Sequence, residues 1–474
     1  MRDLTTDVVL VGRRLGQQPV PSSESWVIVE TGDPGSISAY QRLRREVFVH
    51  EQGLFEISDL DDVDRDERTR VLVARLPDGT VLGGVRLHPA TEGRDLGWWR
   101  GSRLVVAPAA RNGRGLGAGL VRAACALAET SGALRFDAMV QEGNAVLFER
   151  LGWERRSSVT LHGHPHAVMD WPIARLQRLA NATKAPLGGL LADLVGRPAG
   201  GAGAGFVGDD GAPVPGSDLV AACDAILPSM VERDPEWAGW CAALVNLNDL
   251  YAMGATPVGL LDAVGARDAS FARRILRGLS DAARAWGVPV LGGHTQLGVP
   301  GSLSVTALGR TDAPVPGGGG RPGQTLRLTA DLGGGWRPGY TGSQWDSSTS
   351  RSTDELRGLA YVVPSLAPTA AKDVSMSGLV GTTGMLAEAS DCRAVLDVAD
   401  IPTPGAATTG DWLTCFPGFA MVSAETSPAS YDLPGFLTSR SCGQLSEGSG
   451  VGLRWPDGVV TEAIESTVTG MGAA

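Results

Sequence analysis

The stretch RLVVAPAARNGRGLGAGLVRAACALAE, residues 103–129, runs from an apolar strand pattern through a glycine-rich loop into a helix pattern. Leu116, Leu120, Ala123, Ala124 and Leu127 recur at helical spacing and give that helix an apolar face. Glycines 113, 115, 117 and 119 let a ligand approach the main chain, and the unpaired N–H groups at a helix start favour an anion. The next strand follows in RFDAMVQEGNAVLFERLGWE, residues 135–154, with Asn144, Phe148 and a Leu-Gly-Trp turn. Upstream, VLVARL and TVLGGVRL read as strands around a PDG turn, and AYQRLRREVFV reads as a helix.

Outward from that segment, a chain of 474 residues is too long for one ordinary core and predicts two or three domains. Composition shifts near residue 175. Glycine becomes dense in GGLLADLVGRPAGGAGAG (188–205) and again in PVPGGGGRPG (314–323), which reads as a hinge or flexible linker within the second half. A net charge of -11 argues against nucleic acid as a partner, because such binding depends on clustered Lys and Arg. The six cysteines, at 125, 223, 241, 392, 415 and 442, form no CxxC pair, as suits reduced thiols. No secretory pattern and no run of about 20 apolar residues is present, so a cytoplasmic protein without membrane partners is expected.

Residues 25–175 resemble the GNAT N-acetyltransferase superfamily, in which the glycine-rich loop grips the pyrophosphate of acetyl-CoA. The segment RREVFVHEQGLFEISDLDDVDRD (44–66) is similar to the entrance region of members related to autoinducer synthases. The resemblance implies that acetyl-CoA, or another acyl-CoA, is held by Val105, Val106, Asn112, Gly113, Arg114, Gly115, Leu116, Gly117, Ala118 and Gly119, with Asn144 and Phe148. In the loop, Asn112 stands where the family usually has Arg or Gln, with Arg111 displaced by one. Phe148 stands where a tyrosine often protonates the leaving thiolate. His162, His164 and His166 would share one face of an extended strand, which leaves open metal ligation, an acceptor-site role for His166, or edge-strand packing. Glu51, His50 and Glu142 are the other candidate bases.

In the second half, acidic or glycine-rich elements end short apolar runs in FVGDDGAPV (206–214), LVAACDAI (219–226), LVNLNDLYAMGATPVG (244–259) and VPVLGGHTQ (288–296). Asp209, Asp210, Asp224 and Asp249 would repel one another unless cations neutralise them, and hard oxygen ligands suit Mg2+ on the phosphates of ATP. For single acids, a turn at Asp209–Asp210 or a helix cap at Asn248–Asp249 would also serve. Residues 178–474 resemble the superfamily of aminoimidazole ribonucleotide (AIR) synthetase and selenophosphate synthetase. The resemblance rests on GDDGAPV, the aspartate of AACDAI, NDLYAMGATP, GGHTQ, KDVSMSGLVGTTGMLAEAS and DVADIP. It implies Mg2+ on Asp209, Asp210, Asp224, Asp249 and Asp373, nucleotide at Gly292, Gly293, His294 and Thr295, and a homodimer formed by this half.

Among 41 basic residues only Lys184 and Lys372 are lysines, and both fall in these motifs. An ammonium is a compact point charge that a planar guanidinium does not replace at a phosphate. Lys184 matches the catalytic lysine of selenophosphate synthetases, but Asn181-Ala182-Thr183 precedes it where those enzymes keep cysteine or selenocysteine, so selenide activation is not expected. Lys372 is expected to neutralise its neighbour Asp373.

The resemblances imply an α/β and α+β chain: a GNAT fold over 25–175, an ATP-binding and dimerisation subdomain over 178–315, and a C-terminal subdomain over 324–474. The whole resembles a bacterial fusion type found near nitrilase-type genes. The expected function is N-acylation from acyl-CoA joined to Mg-ATP-dependent phosphorylation of an amide or related carbonyl oxygen. Lys184, Asp249, His166 and Glu51 are the candidate catalytic groups. The alternatives are a small-molecule kinase of the thiamine-monophosphate type, or an acyl-CoA sensor controlling the ATP-dependent half.

Overall fold

The computed structural model describes residues 25–111, 115–194, 206–426 and 431–473, in two compact units. The first unit ends at Ile173 and the second begins at Ala174, with Thr408–Gly410 grouped with the first.

Seven strands build the first unit: β1 (Val27–Glu30), β2 (Arg70–Arg75), β3 (Val81–Pro89), β4 (Trp98–Val106), β5 (Arg135–Gln141), β6 (Glu154–Leu161) and β7 (His164–Trp171). They form one sheet in the order β1-β2-β3-β4-β5-β7-β6. Only β4 and β5 are parallel, and their register runs from Trp98↔Arg135 to Gly101↔Ala138 and then stops. Beyond that point the strands part. In the diverging half of β4, Arg103 takes φ 55, and its carbonyl accepts a hydrogen bond from the Tyr40 hydroxyl at 2.7 Å.

Helix α1 (Pro34–Arg45) starts at the Asp33 cap, whose carboxylate accepts the Ser36 N–H at 2.8 Å, and continues as a π-helix over Glu46–Glu51. Tyr40 seats it on the sheet at Gly84, where a Cβ would lie 2.7 Å from the ring. Helix α2 (Leu116–Thr130) buries the face anticipated from its spacing, including Leu116, Leu120, Ala124 and Leu127. A short α3 (Ala145–Arg150) follows β5.

The second unit opens with α4 (Arg175–Thr183) and α5 (Leu187–Leu191). Its first sheet holds β8 (Ala212–Pro213), β9 (Leu219–Ala225), β10 (Thr256–Ala266), β11 (Val290–Leu297) and β12 (Ser302–Arg310), in the order β11-β10-β12-β9-β8. Between these strands come α6 (Pro228–Arg233), α7 (Pro235–Ala252) and α8 (Ala269–Trp286). Helix α8 is amphipathic between its Asp268 cap and Gly287, which terminates it at φ 64. By contrast α7 is buried nearly all round, so its sequence has no helical stripe. The two helices touch through glycine: a Cβ on Gly278 would lie 1.8 Å from Glu236 O, and one on Gly239 would lie 2.2 Å from Ile275 O.

The rest of the chain contributes β13 (Thr325–Ala330), β14 (Gly335–Trp336), β15 (Gln344–Asp346), α9 (Thr353–Gly358), α10 (Val362–Leu366), β16 (Ala370–Asp373), α11 (Gly378–Ala389) and β17 (Arg393–Asp397). It ends with β18 (Phe416–Pro417), β19 (Ala420–Glu425), β20 (Thr438–Ser446), β21 (Val451–Arg454) and β22 (Val460–Ile464). The larger sheet runs β16-β19-β13-β20-β17-β21-β22, and β14, β15 and β18 make a small one.

The glycine run at 314–323 is not a loose linker. Gly317 and Gly320 are buried, the Gly320 N–H reaches Ser390 Oγ at 3.0 Å, and a Cβ on Gly319 would lie 2.0 Å from Thr369 O. Composition alone cannot distinguish glycine kept for flexibility from glycine kept for close packing. Most of the other run, 195–205, lies outside the described residues.

Candidate functional site

Five of the acids singled out from sequence converge in the second unit. Asp209 and Asp210 lie ahead of β8, Asp224 near the end of β9, Asp249 in the last turn of α7, and Asp373 at the end of β16. Asp210, Asp249 and Asp373 bring carboxylate oxygens within 4.8 Å of one another, a spacing that one cation can bridge. Asp249 is therefore not a helix N-cap: its side chain is buried at the far end of the helix.

Lys372 is at the centre of this cluster. Only 1% exposed, it donates to Asp210 Oδ1 and to the Gly208 carbonyl, each at 2.9 Å, with Asp209 Oδ1 at 4.0 Å. Its hydrogen bond goes to Asp210 and not to the neighbouring Asp373, since successive strand residues point to opposite faces, although its charge still pulls on the Asp373 carboxyl. Asp373 is tied to Asp210 differently, donating its backbone N–H to Oδ2 at 2.9 Å. Burial opposes the charge of Lys372, yet Asp210 and Asp209 hold it protonated beyond its usual range.

The acids are held at a cost. Burial raises Asp209 to about 6, against the pull of Lys372 and the Gly317 N–H. Burial also raises Asp249 and Asp373 well above the carboxylate range, and repulsion among the acids adds to it. Asp224, exposed at the end of β9, is raised by the desolvation of its surroundings and partly relieved by Lys184. Two buried oxygens, Asp209 Oδ1 and Asp373 Oδ2, have no hydrogen-bond partner. Lys372 supplies a single positive charge to these acids, and the buried Asp373 Oδ2 still faces other carboxylates unpaired, so the residues fit a bound divalent cation.

Beside the acids lies a cavity of about 530 Å³ lined by Lys184, Asp224, Arg233, Tyr340 and Ser375 among others. Lys184 follows the last turn of α4, and the Arg233 guanidinium stacks 3.9 Å over the Tyr340 ring. Neither Arg233 nor Tyr340 was singled out from sequence, because they come together only in the fold. Asn246 was also missed: its Oδ1 accepts the Asp224 N–H at 3.2 Å, and its position one turn before Asp249 was a usable signal.

Gly292, Gly293, His294 and Thr295 are placed differently. They lie on β11, an edge strand whose eight residues are all exposed. Register runs from Asp224 through Val305 and Asp262 to Gly293. Three strand spacings of about 4.8 Å separate these residues from Asp224 within one chain. Gly293 makes room for Asp262, whose Oδ2 would lie 2.3 Å from an added Cβ.

In the first unit, the gap between the diverging strands opens into a cavity of about 320 Å³ that includes Asn144, Phe148 and His166. Val105 is buried and Val106 half-buried beside it on β4. Gly115 caps α2 at φ 65, and Gly119 N–H is the first in the helix to close onto Gly115 O, at 2.9 Å. The N–H groups of Leu116, Gly117 and Ala118 are thus at the open helix end. Asn112, Gly113 and Arg114 lie outside the described residues.

The three histidines do not gather on one face. His162 sits in the β6–β7 turn at φ 48 and stacks on Phe55 at 4.6 Å, and β7 begins only at His164. His166 is buried, with Nδ1 2.9 Å from the His164 carbonyl. Among the described residues, no metal-ligating group includes them. Glu51 is paired with Arg111, which holds its carboxyl below the usual range and weakens it as a base. Glu142 is likewise paired, with Arg155 at 2.7 Å.

On the lining of this cavity Arg86 and Arg103 bind Asp61, and nearby Arg44 binds Asp59 and Asp64 at 2.6 Å each. Burial works against the charge of Asp64, but Arg44 holds its carboxyl below the usual range.

Residues 208–311 match the family model described as AIR synthase related protein, N-terminal domain, and residues 67–155 match the acetyltransferase (GNAT) domain. The uncharacterized protein sll0787 of Synechocystis sp. is 35% identical over 223 residues, 46% of this chain and 69% of that protein. A selenide, water dikinase of Nitratidesulfovibrio vulgaris is 32% identical over 204 residues, 40% of this chain and 58% of that enzyme. Among solved structures, thiamine monophosphate kinase from Aquifex aeolicus aligns with a TM-score of 0.41 and 20% identity, covering 53% of this chain and 92% of that one. Both matched regions belong to enzyme families. Among the described residues, no helix is long and apolar enough to cross a membrane.

Proposed function

Because the chain belongs to the AIR synthase-related family and carries a GNAT acetyltransferase domain ahead of that region, we propose a bifunctional enzyme. Its first unit transfers an acyl group from acyl-CoA to an amine. Its second uses Mg-ATP to phosphorylate a carbonyl-type oxygen of a small molecule. The observation that carries the second activity is the convergence of Asp210, Asp249 and Asp373 around a buried lysine, with carboxylate oxygens left unpaired. These three acids would hold the cation, with Asp209 and Asp224 at its flanks. Bound Mg2+ would neutralise phosphate charge as it shifts during transfer.

Lys372 fixes Asp210 and keeps the acids from repelling the strand ends apart. Lys184, beside Asp224 in the cavity, offers a mobile cation to the transferring phosphoryl group. In that transfer, the carbonyl oxygen forms the new O–P bond, the bond from the γ-phosphorus to the bridging oxygen breaks, and ADP leaves with the electron pair. An amide made in the first unit would present the oxygen that the second activates, so the two reactions could follow one another. A nucleophile would then displace inorganic phosphate, which leaves where hydroxide would not.

In the first unit, α2 and its Gly115 cap would receive the CoA pyrophosphate, and His166 lies within the cavity where an acceptor amine would lose its proton. A homodimer would cover β11, since an exposed apolar edge strand otherwise invites uncontrolled pairing. Gly292, Gly293, His294 and Thr295 could then border nucleotide only as part of the paired assembly.

The test is ADP and phosphate release against candidate amides at graded Mg2+, together with CoA thiol release over an amine panel. ADP release with stoichiometric phosphate supports the activation reading. Phosphate retained on the product would replace it with a small-molecule kinase, and acyl-CoA binding without thiol release would make the first unit a sensor.

A further inference from the structure

The cavity of the first unit is larger and more apolar than a two-carbon acyl group requires. At about 320 Å³ it has roughly twice the volume of an engineered cavity that binds benzene. Its lining includes Gly101 and Ala138, the last paired residues of β4 and β5, together with Ala124 of α2. Phe148 and Trp153 also line it, with ring centroids 5.2 Å apart in an edge-on contact. Ala124 and Ala138, small residues from two different elements, are each almost fully buried.

The charged groups on its lining are paired within the protein, Arg86 and Arg103 with Asp61 and Arg100 with Asp137. Arg100 Nε is 2.7 Å from Asp137, and Arg103 reaches both the Asp59 carbonyl and Asp61. Burial lowers His88 to about 4, so it is neutral near pH 7. The arginine and aspartate charges are matched by one another, while most of the lining is hydrocarbon, including Leu54, Val85, Val121, Phe136 and Val140, as suits a flexible hydrocarbon tail. Along α2, at ~1.5 Å per residue, Ala124 lies about 14 Å beyond the Gly115 cap. Phe148, in the place of a hydroxyl-bearing residue, is part of the apolar wall.

We propose that the acyl donor is a medium-chain thioester whose tail occupies this cavity. The proposal rests on the reading of the first unit as an acyl-CoA-dependent transferase and narrows its substrate. In the transfer, the amine nitrogen forms a C–N bond with the thioester carbonyl carbon, the C–S bond breaks, and the thiolate leaves with the electron pair. The proton lost by the amine passes through solvent or a base to the thiolate.

Calorimetry on the full chain with CoA, acetyl-, butyryl-, hexanoyl- and octanoyl-CoA tests it. Affinity should rise by about fourfold for each methylene that enters the cavity, so hexanoyl-CoA should bind at least about tenfold more tightly than acetyl-CoA. Ala138→Leu and Ala124→Leu, on two different elements, should each erase that gain; far-UV dichroism and a melting curve check that both fold. Equal affinity for acetyl- and hexanoyl-CoA would overturn the proposal while leaving acyl-CoA binding intact. A chain-length gain untouched by both substitutions would place the tail elsewhere and overturn it as well. No binding of CoA or any thioester would instead overturn the parent reading, and the narrower one with it.

Discussion

Lys372 has its ammonium against Asp210 and the Gly208 carbonyl, with almost no solvent access. Lys372→Met should remove the compensation for buried carboxylates and cost about 3–5 kcal/mol, measured by chemical denaturation. Lys184 is only half-buried, so Lys184→Arg should leave stability nearly unchanged while ADP release falls by about a hundredfold, the scale of losing one preorganised donor. Lys372→Arg should also destabilise the fold, since a planar fork does not fit between two oxygens placed for an ammonium. The acids themselves were legible because each ended an apolar run. Their partners were not, because Gly317, Asn246 and Lys372 reach Asp209, Asp224 and Asp210 across distant parts of the sequence. In the first unit, Arg44→Met should strand Asp59 and Asp64 and cost a similar amount in the same measurement.

The α7–α8 pair shows what the pattern of an element can and cannot reveal. Helix α8 announces itself through its stripe and caps, whereas α7, apolar on every side, has a helical length but no face. Its approach to α8 depends on Gly239 and Gly278, where a single methyl group would meet backbone. Gly278→Ala should therefore separate the helices and destabilise the second unit by about 1–3 kcal/mol or more, read as a lower melting temperature, although Ala favours isolated helices. Strand β11 presents the opposite case: VLGGHTQL follows on a short apolar run, yet all eight residues are exposed. Val290→Lys combined with Leu297→Lys should turn a dimer into a monomer by light scattering, with little change in monomer stability. A wild-type chain that is already monomeric would remove the proposed dimer.

At the scale of the molecule, composition changes near residue 175, and the second unit begins at Ala174. Helix α4 falls with that unit, packing on α11 and β22, so the amphipathic segment that ends at Lys184 belongs to the same unit as the acids. The parting of β4 from β5 was not readable, because it is a failure of pairing rather than a feature of either strand. Stability of the first unit should depend on pH through His88. Burial lowers its pKa from 6.5 to about 4, so the unfolded chain binds the proton more readily. The contribution is fully present above about 6.5 and is lost as pH falls toward 4; calorimetric melting should show a loss of order 1–3 kcal/mol that His88→Gln largely removes. The scarcity of lysine has a practical side. With Lys372 sealed among carboxylates, an amine-selective acylating label has one side chain within reach, Lys184, apart from the α-amino group. The chain thus carries a built-in single-site reporter, and under the proposed function the rate at which Lys184 is modified, followed by intact-mass spectrometry with and without Mg-ATP, should fall with nucleotide occupancy, a readout that requires no knowledge of the acceptor.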